Sequence, residues 1–168
     1  ITVWTSDGKI QAQRHNASGK GFLGIAWRPN EDQFITLSDS VRRFDVQLHL
    51  LSAYKHRPEE VIPLCVEWHP DGEIYVIGDY GYDAIPSLLQ LRKSDDSLIS
   101  QTKKSKAEYR NLDWLHDGRR LATASDAIRV WNARGTLLHE IKATDNLWGV
   151  AWSPDGKYIV TSDQAGHI

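Results

Sequence analysis

The sequence predicts an all-β fold of repeated four-stranded antiparallel blades, and three observations carry that prediction. First, one phrase recurs four times: Trp27-Arg-Pro-Asn…Asp39, Trp68-His-Pro-Asp-Gly…Asp79, Trp114-Leu-His-Asp-Gly…Asp126 and Trp152-Ser-Pro-Asp-Gly…Asp163. Second, these tryptophans stand 38 to 46 residues apart, and a period of about 40–45 residues made of short strands marks the blades of a β-propeller. Third, each copy runs in the same order: a strand of small and apolar residues, a tight turn, a β-branched strand, a small residue plus aspartate, then an alternating strand.

The elements of each blade follow as strands a to d. Strand a leads into the tryptophan, with Ile25, Val66, Leu112 and Val150 two residues before it and the small Gly24, Cys65, Asn111 and Gly149 three before it. Apolar residues two apart, separated by small ones, read as a buried strand. The a–b turn follows. In Pro70-Asp71-Gly72 and Pro154-Asp155-Gly156, proline presets φ, aspartate bonds its own backbone and glycine permits positive φ. His69 and His116 fall in these turns and read as solvated turn residues. Strand b is Phe34 to Leu37, Ile74 to Ile77, Leu121 to Ala124 and Tyr158 to Thr161, closing on Ser38-Asp39, Gly78-Asp79, Ser125-Asp126 and Ser162-Asp163. Strand c is Val41 to Phe44, Ser87 to Leu91 and Ile128 to Trp131, and strand d is Leu48 to Tyr54, Leu98 to Thr102 and Thr136 to Ile141.

The ends share one phase of the repeat. Ile1-Thr2-Val3-Trp4 reads as a strand c, with a strand d from Lys9 to Arg14, whereas the C-terminus stops after a strand b at Gly166-His167-Ile168. Joined, the ends spell a continuous strand c, so the N-terminal c and d strands are expected to complete the last blade. Residues 1–168 therefore make four blade-equivalents of one repeat domain. Three assemblies fit: a stretch of a longer propeller, two chains sharing an eight-bladed ring, or a ring closed by four blades. The absence of methionine favours the first.

Composition narrows the function classes. The net charge of −2 provides no global field toward nucleic acid or an anionic membrane. No apolar run approaches the length of a spanning helix. The single cysteine, Cys65, excludes an internal disulfide and favours a reducing compartment, so a cytoplasmic location is expected. As a small inward residue of strand a, it reads as a buried, inert thiol. None of the seven histidines shows zinc spacing, and no phosphate loop or nucleophile elbow occurs. No cofactor or metal is expected. The strand-b aspartates recur in every blade, which argues for a framework role over a carboxylate site. Lys103-Lys104-Ser105-Lys106 is the one basic cluster and reads as a solvated loop.

Together, Trp152-Ser-Pro-Asp-Gly-Lys-Tyr158, Ile128-Arg-Val-Trp131, Ile1-Thr-Val-Trp4 and the aspartate closing each strand b resemble the WD-repeat β-propeller family. The resemblance implies a buried hydrogen-bonded set of strand-b hydroxyl, following aspartate and strand-c tryptophan, with a histidine before strand a. Ser125, Asp126 and Trp131 match it, as do Ser162 and Asp163 with Trp4 if the ends join. The Gly-His before strand a is absent, and Phe44 and Leu91 replace tryptophan in two blades.

Function is expected at features that do not repeat. Tyr80 and Tyr82 lie on a lengthened b–c connection, Asp79 to Pro86. Arg110 and Trp148 stand four residues before the marker tryptophan, at the channel mouth, and both are interface-rich residue types. The resemblance implies a noncatalytic scaffold for a protein or peptide partner, with self-association as a further way to complete the ring. The alternative is a small-molecule or enzymatic propeller with a site built around Arg110 and Trp148.

Overall fold

Turn chemistry sets the blade geometry. In the computed structural model, which describes every residue except Asp83, Gly72, Gly118 and Gly156 close the a–b turns at φ of 75°, 71° and 67°. Their N–H groups bond the carbonyls of His69, Leu115 and Ser153. Asp71, Asp117 and Asp155 each accept the N–H two residues on, the aspartate role that turns favour. The register that results places Trp27 opposite Phe34, Trp68 opposite Tyr75, Trp114 opposite Leu121 and Trp152 opposite Ile159.

The described residues form sixteen strands and no helix, so no helix is long and apolar enough to cross a membrane. Strands β1 (Thr2–Trp4) and β2 (Ile10–Gln13) pair alone. Three complete four-stranded meanders follow. Blade 1 is β3 (Gly24–Trp27), β4 (Gln33–Leu37), β5 (Val41–Asp45) and β6 (Leu50–Tyr54). Blade 2 is β7 (Ile62–Trp68), β8 (Ile74–Tyr80), β9 (Leu89–Lys93) and β10 (Leu98–Thr102). Blade 3 is β11 (Asn111–Trp114), β12 (Arg120–Ala124), β13 (Ala127–Asn132) and β14 (Leu137–Lys142). Strands β15 (Leu147–Trp152) and β16 (Ile159–Asp163) end the chain as a second pair. The a strands β3, β7, β11 and β15 pack side by side.

Strand boundaries shift at two places for local reasons. The second c strand begins at Leu89 rather than Ser87 because Leu88 is bonded to Asp79 through both its N–H and its carbonyl. The first d strand begins at Leu50 because Leu48 holds the c–d turn at φ 65°. Gly8 and Gly135 do this in other copies. A left-handed leucine costs about 1–2 kcal/mol, which burial of Leu48 on Phe34 and Phe44 offsets at about 1.5–3 kcal/mol.

The sheets are not closed. Ile1, Val3 and Ala12 pack on Phe34, Phe44 and Leu48 of blade 1, and Arg14 caps Phe44 and donates to the Leu48 carbonyl. The N-terminal pair is thereby held to the near end of the arc, and it does not complete the blade begun by β15 and β16 at the far end. Ile1, which the joining would set on Ile168, packs on blade 1 instead, and Trp4 and Ile168 are both exposed.

Between blades a device repeats. Arg28 lies over Trp68 at 5.2 Å and donates to the Gly72 carbonyl at 2.9 Å. His69 meets Trp114 edge-on at 4.7 Å and donates to the Gly118 carbonyl at 2.8 Å. Arg120 lies over Trp152 at 4.8 Å and donates to the Gly156 carbonyl at 3.3 Å. His69 is therefore an inter-blade contact and not a solvated turn residue; His116 is exposed. Cys65 also faces a seam. Its Sγ donates to the Tyr109 carbonyl, and burial pushes its thiol pKa up.

Side chains of the a strands bond the next blade's backbone. Asn111 Oδ1 accepts from Val150 N–H at 3.0 Å, Asp113 accepts from Trp152 N–H, and Glu67 Oε1 accepts from Trp114 N–H at 3.4 Å. Burial lifts the Glu67 carboxyl to about 8, the Trp114 N–H opposing this and Asp113 adding to it. The folded chain therefore keeps a proton that the unfolded chain releases near its ordinary 4.5. Stability from this group falls as pH rises across that window. Urea denaturation at pH 5 and pH 9 checks this: Glu67→Gln is expected to lose less stability between the two than the unsubstituted chain, and an equal loss would refute the assignment.

Candidate functional site

In a meander the b–c turns and d–a loops share one face, and in this chain the strand-b aspartates hold the two together. In blade 1, Asn16 Nδ2 donates to Ser38 Oγ at 2.8 Å and Asp39 Oδ1 at 3.4 Å. In blade 2, His56 Nε2 meets Asp79 Oδ2 at 2.9 Å. In blade 3, Ser105 Oγ donates to Asp126 Oδ1 at 2.9 Å. Asn16, His56 and Ser105 each come from the loop entering strand a. One slot thus carries three different donors.

Arginines complete two of these nodes from strand c. Arg42 pairs Asp39 at 2.9 Å and Arg129 pairs Asp126 at 2.8 Å. Arg42 holds the Asp39 carboxyl far below its usual range. Burial works against ionisation of Asp126, but the Arg129 and Ser105 bonds prevail and lower its pKa. At Asp163 the N–H and ring of His167 lower the carboxyl pKa.

Blade 2 holds the most enclosed node. Asp79 is fully buried and accepts from Leu88 N–H at 2.6 Å, with Arg57 Nη1 at 3.1 Å and His56 on its other oxygen. Arg57 is itself buried, with Nη1 also bonding the Pro86 carbonyl and Nε reaching Glu59. A histidine before strand a is therefore present in this blade, within Lys55-His56-Arg57, although the Gly-His pair is not. Counting back from Cys65 and Trp68 could have found it.

The remaining framework residues are placed as follows. Trp131 Nε1 donates to Thr123 Oγ1 at 3.1 Å, two residues before Ser125, because Trp131 pairs Leu121 and Thr123 pairs Arg129, which makes Thr123 a diagonal neighbour of Trp131 across β12 and β13. Ser125 Oγ instead receives Arg129 and bonds Asp126. Ser162 and Asp163 sit on β16, at the opposite end of the arc from Trp4 on β1. The structure does not bring these three together.

The non-repeating aromatics reach the same loop face. Trp148 lies where the β15 register breaks between Leu147 and Gly149, and such a bulge re-aims a side chain. Its ring is 52% exposed and lies 4.8 Å from the Arg110 guanidinium. Arg110 is in turn paired with Glu108. Tyr80 and Tyr82 stack at 6.4 Å, and Tyr82 Oη donates to the Glu60 carbonyl at 3.5 Å. Asp83, in the same connection, lies outside the described residues. Gly81 makes this fold-back possible, since a Cβ there would stand 2.3 Å from Ser87 N.

A cavity of about 400 Å³ opens on this face between blades 1 and 2, lined from the β2–β3 loop, the β4–β5 turn and the β6–β7 loop. Lys103, Lys104 and Lys106 are exposed, whereas Ser105 between them is buried on Asp126. Among the described residues no three His, Cys, Asp or Glu side chains converge as metal ligands.

The nodes differ in burial, so they should differ in cost. Asp79→Ala is expected to destabilise by about 3–5 kcal/mol, because it strands the buried Arg57 charge. Asp126→Ala is expected to cost roughly 1–3 kcal/mol, since Asp126 is itself partly exposed and Arg129 keeps its 2.7 Å pair with Glu140. Equal losses in denaturant titrations would contradict this ranking.

Residues 135–168, which include β14, β15 and β16, match the WD40 family (WD domain, G-beta repeat). No curated protein matches the chain. The β15–β16 pair within the matched residues repeats the antiparallel pairing with which each of the three complete meanders begins, and the all-β, four-stranded architecture is consistent with WD-repeat blades.

Proposed function

We propose that this chain is a noncatalytic interaction module that docks a protein or peptide on the face formed by its b–c turns and d–a loops. WD repeats serve generally as protein-interaction scaffolds, and the residues of this face support that role here. The carrying observation is Trp148, an aromatic half exposed on a bulge and stiffened by Arg110. Tryptophan and arginine dominate interface energies when they are presented rigidly. The Tyr80–Tyr82 stack supplies a second aromatic anchor on the same face. The engagement of Arg110 with both Glu108 and Trp148 favours a docking role over that of a free cation in a small-molecule or enzymatic site. The lone cysteine supports a cytoplasmic setting.

Peptides selected by display against the whole chain provide the test. Trp148→Ala is expected to weaken their binding about tenfold or more while leaving the melting temperature unchanged. Collapse of the fold, with the loss of several kcal/mol that removal of a core aromatic brings, would make Trp148 a packing residue. Unchanged affinity would remove the anchor.

The end pairs β1–β2 and β15–β16 leave sheet edges without partners in the chain, and exposed edges invite pairing. The proposed working form is a larger ring, completed by further blades or by a second copy. Light scattering with an intact-mass measurement distinguishes these: a dimer of the 19.1 kDa chain supports the second copy, and a monomer at that mass refutes it.

A further inference from the structure

The cavity between blades 1 and 2 has a defined chemistry that the anchors above do not use. We infer that it is a second docking subsite on the proposed interaction face, and that it takes an acidic peptide segment whose aliphatic side chain is flanked by carboxylates. The inference rests on the reading that this face binds a polypeptide.

Size is the first argument. About 400 Å³ lies within the range of functional ligand pockets. The apolar part of the wall is the second. Leu23, Val61 and Ile62 line it, and Leu23 and Ile62 stay 54% and 46% exposed at the starts of their a strands. Two large aliphatic side chains beside an open cavity suit an apolar side chain more than a fully solvated ion.

Charge decides the rest. Three carboxylates line the cavity: Asp39, Glu59 and Glu60. Asp39 is held by Arg42 and Asn16, and Glu59 is paired with Arg57. Against them stand Lys20 and Lys55, which also line the cavity and have no ion-pair partner among the described residues. Only Glu60 opposes these two ammonium groups without a salt bridge of its own. Because Asp79 and Glu59 share the single Arg57 charge, the groups around the cavity are close to balance; the two ammonium groups without an ion pair are what a ligand carboxylate would meet, and the carboxylates nearby oppose a dense polyphosphate. One or two carboxylates on a peptide match this balance. The wall is also preorganised: Arg57 is locked by Asp79, Pro86 and Glu59, and His56 by Asp79. A ligand therefore meets a loop that needs little ordering, which favours binding.

The test uses the whole chain and two capped peptides, Glu-Leu-Asp-Leu-Glu and its counterpart Lys-Leu-Lys-Leu-Lys, followed by amide NMR and affinity titration. The acidic peptide is expected to shift the signals of Leu23, Lys55 and Val61. Its affinity should fall about tenfold or more in Lys20→Glu/Lys55→Glu and weaken with added salt, and Trp148→Ala should leave it unchanged. Both lysines are exposed, so the double variant should keep its circular dichroism and melting temperature. Equal binding of the two peptides, shifts centred on Arg110 and Trp148, unchanged affinity in the double variant, or no binding of the acidic peptide would each overturn the subsite. None of these results touches the Trp148 test, which is read on display-selected peptides.

Discussion

The structure depends on how each blade grips the tryptophan of the next. Arg28, His69 and Arg120 each cover one marker indole and, with the same side chain, bond the carbonyl of the glycine that closes its turn. Magnitudes show why this contact governs. A tryptophan buries about 150–250 Å², or about 4–6 kcal/mol at 25 cal/mol/Å². A cation over its face adds about 0.5–2 kcal/mol. Against this, the buried Nε1 donors of Trp68, Trp114 and Trp152 have no partner among the described residues, and each such donor costs about 1–3 kcal/mol. Burial wins at every seam, so the indole contributes area and a π face and its donor is left unmet. Because the contact always runs from one blade to the next, stability is passed along the arc as a nearest-neighbour property.

A second constraint acts at right angles to the first. The aspartate nodes tie each loop entering strand a to the b–c turn beside it, and this keeps an irregular face stiff. The nodes need a carboxylate at one fixed place and any suitable donor at the other, so Asn16, His56 and Ser105 serve alike. Blade 2 takes the arrangement furthest, with two cationic or imidazole partners on one buried carboxylate. That enclosure is costly unless every lone pair is used, and the Leu88 N–H supplies the remaining bond. The result is a loop, Lys55 to Ile62, whose inner side chains are immobilised while its outer ones face the cavity.

The parts of this molecule that repeat were readable from the chain alone. The period of the tryptophans, the Asp-Gly turns and the alternation of strands a to d all reflect local chemistry, and the strand order of the three complete meanders followed from it. Two classes of residue were not readable. His69 sits in a turn by sequence, but its ring belongs to the next blade, and no local pattern signals a contact made 49 residues away. His56 and Thr123 were passed over for the same reason: each is defined by what lies across a sheet or loop from it. Trp148 stood out by composition, yet its exposure comes from a broken register, which only backbone pairing reveals. The joining of the ends failed because matching phase does not by itself create contact. The hydrophobic attachment of Ile1 and Val3 to Phe34 and Phe44 holds the N-terminal strands where they are.

These limits on legibility also locate function. A residue required by every blade is held by the fold and has little freedom to serve a partner. The positions that vary between equivalent sites carry that freedom: Leu23, Arg110 and Trp148 at the starts of the a strands, and the lengthened β8–β9 connection in one blade only. In this chain they share one face with the cavity whose lysines lack ion pairs. The opposite face carries the a–b and c–d turns, where aspartates bond their own backbone and the seam contacts use the glycine carbonyls. What sets the loop face apart is that a non-repeating aromatic, an apolar recess and lysines without ion pairs lie together there, whereas the exposed Trp27 and Tyr158 of the other face belong to the repeat. That asymmetry, more than any single residue, is the physical reason for placing recognition on the loop face.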